Sequence, residues 1–227
     1  MPFSPRLCVS IWPAVPLRRT DGVAMTASMR DGVNRNQPAY WDARFAEEGF
    51  AYGTEPNDFL VSVVAQVRVG DALCLCEGEG RNATFLAQCG FRSTAVDFSP
   101  VALRKAETLA AQRRIAIRTQ CCDLAAFDPG IAQWDLVTMI FGQPDSAIRR
   151  ALYARIADCL RPGGAFILEA KMEEEATTDS RYPGSAILRA ELSAMEFAIA
   201  RDGLRLLKEG RHHNGEHRTA QLLAFKR

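Results

Sequence analysis

The sequence predicts an α/β fold built on a mostly parallel, doubly wound sheet. From Ala39 onward, short apolar runs of strand length alternate with segments whose apolar residues recur at helical spacing. Parallel neighbours need helical crossovers, so this alternation favours a parallel sheet covered by helices on both faces. Near the end of the chain, Asn214-Gly215 separates two further apolar segments, which is the signal of a tight hairpin turn. We therefore expect seven strands, the last two forming an antiparallel hairpin.

The first half of the pattern is delimited by capping and breaking residues. Asn57 caps a helix that ends before Gly70, and an apolar strand follows over 72–76. A second strand ends at Asp97, and Ser99-Pro100 then opens another helix, with serine as the cap and proline at the first helical position. The third strand is expected over 115–121.

The second half continues the alternation up to the hairpin. A strand over 134–141 lacks charge after Asp135, as expected of a strand buried on both faces. The helix after it carries an apolar stripe and ends at 161–164, where proline and two glycines stop it. A fifth strand over 165–170 precedes the hairpin segments 204–213 and 216–225.

Charge and composition exclude several partner classes. The chain has 48% hydrophobic residues, enough for a sizeable core, and 28 basic against 27 acidic residues, a net charge of +1. Such a balance supplies no field for a phosphate backbone or an anionic membrane, and no window approaches the roughly 20 apolar residues of a membrane span. We expect neither nucleic acid nor membrane as a partner.

The first 38 residues differ from the rest of the chain. They carry five arginines and two aspartates, a net charge of +3, and they lack helical periodicity. Residues 1–38 are therefore interpreted as a disordered leader or as a start placed too early, with true initiation at Met25 or Met29, and 39–227 as one domain. A targeting peptide is disfavoured because no long apolar run follows Arg18-Arg19.

The cysteines and histidines indicate a reducing compartment and no metal site. Seven cysteines are an odd number in a chain without an export signal, which predicts reduced thiols in the cytoplasm. The pairs Cys74/Cys76 and Cys121/Cys122 lack the usual zinc spacing, so the cysteines are interpreted as small buried apolar residues. The histidines cluster near the hairpin turn at 212, 213 and 217, where solvated side chains are the rule.

A glycine-containing loop follows the first strand and predicts a nucleoside-type cofactor. Gly78 and Gly80 lie at the start of a helix, and Asp97 follows Gly78 by 19 residues at the end of the next strand. That spacing suits a carboxylate that accepts the ribose hydroxyls of an adenosine. Glu77 and Glu79 would repel a dinucleotide pyrophosphate, whereas a carboxylate can hold the ammonium of S-adenosylmethionine. The terminal hairpin also favours S-adenosylmethionine over a nicotinamide cofactor.

Four segments together resemble the class I S-adenosylmethionine-dependent methyltransferases. They are 74–83 (CLCEGEGRNA), 95–99 (AVDFS), 122–124 (CDL) and 160–169 (LRPGGAFILE). With 40–42 (YWD) and 52–60 (YGTEPNDFL), the Gly-Arg-Asn triplet at 80–82 looks like the branch that includes tellurite-resistance and thiopurine-type enzymes. The resemblance covers 39–227 and implies a Rossmann-like fold.

The resemblance also implies which residues bind the cofactor. Gly78 and Gly80 would line the methionine part, and Asp97 would bind the ribose. Phe98 would flank the adenine, and Asp123 would accept a hydrogen bond from the adenine amino group. The full expected set is Glu77, Gly78, Gly80, Asn82, Asp97, Phe98, Asp123, Leu124 and Ile140. The chain departs from the pattern at Cys74, which replaces the usual acid, and at Cys76, which replaces the usual first glycine. The acid is therefore expected to have moved to Glu77.

The acceptor is expected at the carboxyl ends of the fourth and fifth strands. The segment Phe141-Gly142-Gln143-Pro144 lacks the Asn/Asp-Pro-Pro pattern of many amino-group methyltransferases. A soft small-molecule acceptor, such as a thiol, a selenol or a metalloid oxyanion, needs positioning more than a base. The expected catalytic residues are His213 and Gln143, and the expected acceptor-facing residues are Trp41, Tyr52, Glu169, Arg181 and Tyr182. An NAD(P)-dependent oxidoreductase and a non-catalytic S-adenosylmethionine-binding protein are the alternatives.

Overall fold

The computed structural model describes residues 38–172, 197–207 and 217–226. The expected site residues Arg181, Tyr182 and His213 lie outside this part of the chain. Within it, the helices are α1 (Pro38–Phe45), α2 (Asp58–Val63), α3 (Arg81–Gln88), α4 (Pro100–Gln112) and α5 (Ser146–Cys159). The strands are β1 (Asp71–Leu75), β2 (Arg92–Asp97), β3 (Arg118–Cys121), β4 (Trp134–Ile140), β5 (Leu160–Met172), β6 (Phe197–Leu207) and β7 (His217–Lys226).

One sheet joins all these strands in the order β3-β2-β1-β4-β5-β7-β6. The first five strands of the chain pair in parallel, and β7 lies antiparallel between β5 and β6. The predicted fold class is thereby confirmed: a Rossmann-like, mostly parallel sheet that ends in an antiparallel pair. The strand order reverses at β1 and β4, which opens a crevice at their carboxyl ends.

Alternating residues of the strands belong to two apolar layers, one on each face of the sheet. Leu73 and Val137 pack on the face covered by α5, while Cys74 and Leu136 pack on the face covered by α2 and α3. Every residue over 135–140 is buried, as expected of a strand covered on both sides. Burial of both faces fixes the register of β1 and β4, whose carboxyl ends form the crevice.

Several elements differ from those expected from the sequence. β6 covers Phe197–Leu207, where a strand over 204–213 was predicted, and the predicted turn at Asn214-Gly215 lies outside the described residues. β5 begins at Leu160 and includes the 161–164 segment. The extra residues are accommodated as a bulge, because the pairing of β5 with β4 shifts register between Trp134 and Leu136 and Gly163 adopts a φ of +74°. β3 begins at Arg118 and not at residue 115. α1 was not expected as a helix at all. None of the helices in the described part of the chain is long and apolar enough to cross a bilayer.

A cluster of charged residues ties the strands together at the amino ends of β1, β4 and β5. Asp71 accepts bonds from Arg92 Nε at 2.7 Å and from Arg161 Nη1 at 3.0 Å, while its own N–H donates to Asp135. The paired Arg92 holds the pKa of Asp71 below its usual value. This end of the sheet lies opposite the crevice.

Candidate active site

A cavity of about 290 Å³ opens at the carboxyl ends of the central strands. Its walls come from the loop after β1 (76–79), the end of β2, the loop after β3 (122–124) and the loop after β4 (140–145). α1 and the segment after it add an aromatic wall made of Tyr40, Trp41, Phe45 and Tyr52. The sheet thus gathers segments that are far apart in sequence around one volume of small-molecule size.

The two glycines of the loop after β1 have different roles. Gly78 lines the cavity with a φ of +64°, and a Cβ there would lie 3.4 Å from the ring of Phe45. Gly80 has a φ of +87° and is not among the residues that line the cavity. A Cβ there would lie 2.6 Å from Ala106 Cβ, so this glycine allows α3 and α4 to approach each other.

Glu77 is a buried carboxylate at the floor of the cavity. Its Oε1 accepts the backbone N–H groups of Asn82 and Ala83, both at 2.8 Å, and so caps the start of α3. Burial raises the pKa of Glu77 to about 7, although the two backbone donors favour the ionised form. Among the described residues, no lysine or arginine lies within 4 Å of it. Glu77 therefore combines burial with a charge that, within the described part of the chain, is stabilised by two backbone donors and by Arg81 at longer range, without a close ion pair.

Glu79 differs from Glu77 because its charge is paired. Lys105 Nζ lies 3.0 Å from Glu79 Oε1 and also donates to the carbonyls of Glu47 and Gly49. The N–H of Ala51 donates to Glu79 Oε2 at 2.7 Å. Glu79 thus fastens the segment after α1 to the loop after β1.

Asp97 ends β2 at the opposite wall of the same loop. Its Oδ2 accepts the N–H of Gly78 and its Oδ1 accepts the N–H of Ser99, both at 2.9 Å. Burial raises the pKa of Asp97, against the effect of these donors. Four further expected residues line the wall beyond it: Phe98, Asp123, Leu124 and Ile140.

Asn82 and Glu169 are both withdrawn from the cavity. Asn82 Oδ1 accepts the N–H of Asn57 at 2.9 Å, and Asn57 Nδ2 donates to Glu169 Oε2 at 2.6 Å. The other oxygen of Glu169 accepts from Thr219 and Gln221, and the residue is 1% exposed. The buried amide and carboxylate thereby join α2, α3, β5 and β7.

Gln143 lines the cavity, but its amide is engaged. Nε2 donates to the carbonyl of Lys171 at 3.0 Å, and Oε1 accepts the N–H of Lys171 at 3.1 Å. This reciprocal pair fixes the loop after β4 against the end of β5. The catalytic role expected of Gln143 stays a prediction.

The cysteines are less uniformly buried than expected. Cys74 is fully buried, Cys76 and Cys122 are half-buried at the cavity wall, and Cys121 is exposed. Burial raises the pKa of the Cys76 thiol far above its usual value, and the nearby Asp97 adds to the effect. Cys76 is thus a neutral thiol at physiological pH.

The aromatic wall is held together by ring contacts. Trp41 stacks on Phe45 with centroids 5.6 Å apart, and Phe45 meets Tyr52 edge-on at 6.3 Å. Trp41 and Tyr52 both line the cavity, and their contact with the acceptor stays a prediction. Tyr40 completes the wall through an edge contact with Trp41.

Comparison with known families identifies the reaction class. Residues 72–164 match the family model described as a methyltransferase domain, and this range includes the cavity loops after β1, β2, β3 and β4. The chain is an S-adenosylmethionine-dependent methyltransferase. Its cofactor is S-adenosylmethionine, and its features are those of class I. No sequence among the curated proteins matches the chain significantly.

Solved structures share the fold of the methyltransferase at low sequence identity. A protein studied in the conversion of a disulfide bond into a thioacetal group during echinomycin biosynthesis is 16% identical, with a TM-score of 0.67 over 83% of this chain and 92% of the other. An S-adenosylmethionine-dependent methyltransferase from Methanosarcina mazei is 16% identical, with a TM-score of 0.64 over 76% and 98%. TehB from Haemophilus influenzae is 16% identical, with a TM-score of 0.65 over 84% and 67%.

Three charged residues of the methyltransferase cavity were missed by the sequence analysis. Arg81, Asp145 and Lys171 all line it. Arg81 belongs to the Gly-Arg-Asn triplet, so a signal for it was present in the sequence. Asp145 and Lys171 carried no signal, because only the folding of the β4 loop against the end of β5 brings them to the cavity.

Proposed function

We propose that the protein transfers the methyl group of S-adenosylmethionine to a small, soft nucleophile such as a thiol, a selenol or a metalloid oxyanion. The observation that carries this proposal is the state of the loop after β4. The amide of Gln143 is tied at both ends to the backbone of Lys171, so it offers no free group for an amine. The wall beside this loop is aromatic, which suits an acceptor that must shed water before it reacts.

The cofactor is proposed to lie along the floor of the cavity. Glu77 would hold the methionine ammonium, since its second oxygen has no donor among the described residues. Gly78 would let the ligand approach the backbone, and Asp97 would accept the ribose hydroxyls. The adenine would lie among Phe98, Asp123, Leu124 and Ile140, of which Leu124 and Ile140 are buried apolar residues.

The chemistry requires little proton transfer from the protein when the acceptor is already anionic. Bound S-adenosylmethionine would supply a methyl group carried by a sulfonium: the bond from the acceptor to the methyl carbon would form in line as the methyl–sulfur bond breaks and the neutral thioether leaves. The acceptor's own lone pair forms the new bond, so the chain contributes orientation and exclusion of water. A thiol with a pKa near 8.5 supplies some thiolate at neutral pH, whereas an alkyl amine is almost wholly protonated there.

The protein's own cavity thiol is a poor competitor for the methyl group. Cys76 is held as a neutral thiol by burial and by neighbouring carboxylates. Since the thiolate is the reactive form, Cys76 is not expected to accept the methyl group itself. The methyl group therefore stays available to an acceptor that enters the cavity.

Asp145 favours a second candidate function. Asp145 lines the cavity and directly follows the Phe141-Gly142-Gln143-Pro144 segment. A carboxylate there is suited to take a proton from an ammonium, which would favour an amine acceptor. Solved structures of similar fold include both an enzyme of sulfur chemistry and a phosphoethanolamine N-methyltransferase, so the fold supports either acceptor.

The branch of the family is also proposed. The Gly80-Arg81-Asn82 triplet and the 40–42 and 52–60 segments support the branch that includes tellurite-resistance and thiopurine-type enzymes. In the structure these segments lie together, because Arg81 donates to the carbonyl of Glu55 and Trp41 lines the same cavity. Soft acceptors are consistent with that assignment.

A methyl-transfer screen tests the acceptor class. Purified protein is incubated with tritiated-methyl S-adenosylmethionine and, in parallel, with small thiols, selenite, tellurite and small amines. We expect faster turnover of the soft acceptors, with a rate that rises along the acceptor's own ionisation and survives Asp145→Asn. Faster turnover of amines, abolished by Asp145→Asn, would overturn the proposal in favour of the second candidate. Asp128→Asn is the matched control, since Asp128 is exposed and does not line the cavity.

A further inference from the structure

Lys171 is a cation at the end of β5 whose backbone is held on both sides. The ladder between β4 and β5 ends at the pair Ile140 and Glu169. Beyond it the amide of Gln143 continues the pairing, since its Nε2 donates to the carbonyl of Lys171 at 3.0 Å and its Oε1 accepts the Lys171 N–H at 3.1 Å. On the other side, Lys171 lies in register with Thr219 of β7. The backbone that carries the Lys171 side chain is therefore fixed at the wall of the cavity, which the residue lines.

The alternation along β5 sets the face on which Lys171 lies. Ile167 packs in the apolar layer beneath α2 and α3, and Glu169, two residues further on, accepts a bond from Asn57, the residue that caps α2. The side chains of a strand repeat their direction every two residues, so Lys171 follows on the same face. The carboxylate of Glu169 is already used by three donors. Lys171 thus carries its charge past the buried part of β5 to the cavity.

The charged groups of the cavity wall differ between its two sides. The side of β1 to β3 carries four acids and one arginine: Glu77, Glu79, Arg81, Asp97 and Asp123. The ends of β4 and β5 form the side where the acceptor is expected. In the described lining this side carries one carboxylate, Asp145, and one cation, Lys171. An anion that enters here is repelled by Asp145, so Lys171 is the group that can offset the repulsion.

We propose that Lys171 binds the negative charge of the methyl acceptor, so that the acceptor class is anionic. A cation within about 4–6 Å of a thiol or a selenol favours its ionised form, which is the nucleophile. The proton of the thiol leaves to solvent before the methyl group is transferred, and Lys171 stays protonated throughout. The inference rests on the proposed function where the acceptor is soft, and it adds the group that holds such an acceptor as an anion.

The negative charge belongs either to the reacting atom or to a separate carboxylate of the acceptor, and matched ligands separate the two. Mercaptopropionate and mercaptoethanol differ by a carboxylate on a thiol, and β-alanine and ethanolamine differ in the same way on an amine. Methyl transfer to each is followed in the full chain for wild type, Lys171→Gln and Lys171→Arg across the ionisation range of the thiols. Calorimetry on the S-adenosylhomocysteine complex measures the affinity for the same four ligands without turnover.

Both sources of the charge give a defined result. With the charge on sulfur, Lys171→Gln should raise the pH of half-maximal kcat by about one to three pH units for both thiols, while Lys171→Arg stays near wild type. With the charge on the carboxylate, Lys171→Gln should weaken mercaptopropionate about ten- to a hundredfold and leave mercaptoethanol unchanged. Either result supports the proposal. The pKa of Glu77, about 7, is common to all three proteins, so the change is measured as a difference between them.

Lys226→Gln is the matched control. Lys226 belongs to β7, but it binds the carbonyl of Leu160 at the opposite end of the sheet and does not line the cavity. It should leave the pH profile and the affinities unchanged.

An unchanged pH profile with unchanged affinities in Lys171→Gln would overturn the proposal. Equal weakening of all four ligands would also overturn it and assign Lys171 a structural role. Turnover of the amines alone would contradict the proposed function, and the inference would then stand only if Lys171→Gln removes a preference for β-alanine over ethanolamine. If Lys171→Gln does not fold, Lys171→Met replaces it in the same measurements.

Discussion

The acidic residues of the cavity differ in what stabilises them. Asp97 accepts one backbone N–H on each oxygen, Glu77 accepts two on the same oxygen, and Glu79 is paired with Lys105. Only the first two combine burial, a place at the cavity wall and no cation within 4 Å among the described residues. Burying these two carboxylates in ionised form costs free energy in the free protein, and a cationic or hydroxyl-bearing ligand would offset that cost.

Asp97→Ala should weaken cofactor binding. The substitution removes a charge-assisted acceptor worth roughly 1.5–3 kcal/mol, so the affinity for S-adenosylhomocysteine should fall about ten- to a hundredfold in calorimetry. It also removes the acceptor of the Gly78 N–H, so folding is checked by circular dichroism. Unchanged affinity in a folded variant would show that Asp97 does not bind the ribose.

The ionisation of Glu77 should make the free protein less stable as pH rises. Its pKa is about 7 in the folded protein and 4.5 when unperturbed, so the folded state holds the proton over a range where the unfolded chain has lost it. Stability should therefore fall between about pH 4.5 and 7 and level off above, by on the order of 3 kcal/mol. Urea unfolding of wild type and Glu77→Gln across this range measures the difference. A constant difference between the two proteins would contradict the assignment.

At the scale of elements, α3 and α4 meet at a glycine. Gly80→Ala would place a Cβ 2.6 Å from Ala106 Cβ in a backbone with a φ of +87°. Gly163→Ala is the matched control, because Gly163 has a φ of +74° and nothing within 4 Å of such a Cβ. Both variants bear backbone strain of about 1–2 kcal/mol, and Gly80→Ala adds an overpacking cost of about 1–3 kcal/mol. Chemical denaturation that gives equal losses would show that the contact with α4 relaxes freely.

Local geometry explains which site residues the sequence could predict. Gly78 lies in a turn directly after a strand and Asp97 at the end of the next one, so both follow from spacing along the chain. The hydrogen bonds of Glu169 and Gln143 could not be predicted in this way, because their partners, Asn57 and Lys171, lie 112 and 28 residues away. Pairing across a sheet leaves no local signal. The order of strands and helices was predictable for a related reason, since periodicity and caps are local properties.

At the scale of the whole molecule, the two ends of the sheet have different roles. The carboxyl end holds the cavity, and the amino end holds the ion pairs of Asp71 with Arg92 and Arg161. Those ion pairs connect β1, β2 and β5 without touching the cavity lining. Interactions that stabilise the sheet are thereby separated from those that bind ligands, which leaves the cavity loops open to specialisation.

Deletion of residues 1–28 should leave the domain intact. The first 38 residues carry a net charge of +3, and 39–227 contain every segment of the family resemblance. We expect the melting temperature and the affinity for S-adenosylhomocysteine of the shortened chain to match those of the full chain at equal ionic strength. A large loss of either would place part of this segment against the domain.

The loops after β1 and β4 share a single space, and this constrains how the methyltransferase can diverge. Cys76 stands at a φ of +51°, where the resembled family has glycine, and a Cβ at Gly142 would lie 2.5 Å from Cys76 Cβ. The side chain of Cys76 therefore occupies the space that a side chain at position 142 would need, and the glycine at 142 leaves that space free. Gly142→Ala should abolish cofactor binding or folding in this background and be tolerated together with Cys76→Gly. During evolution, substitutions at positions 76 and 142 would then be coupled, so that the size of residue 76 limits which residues the loop after β4 can accept.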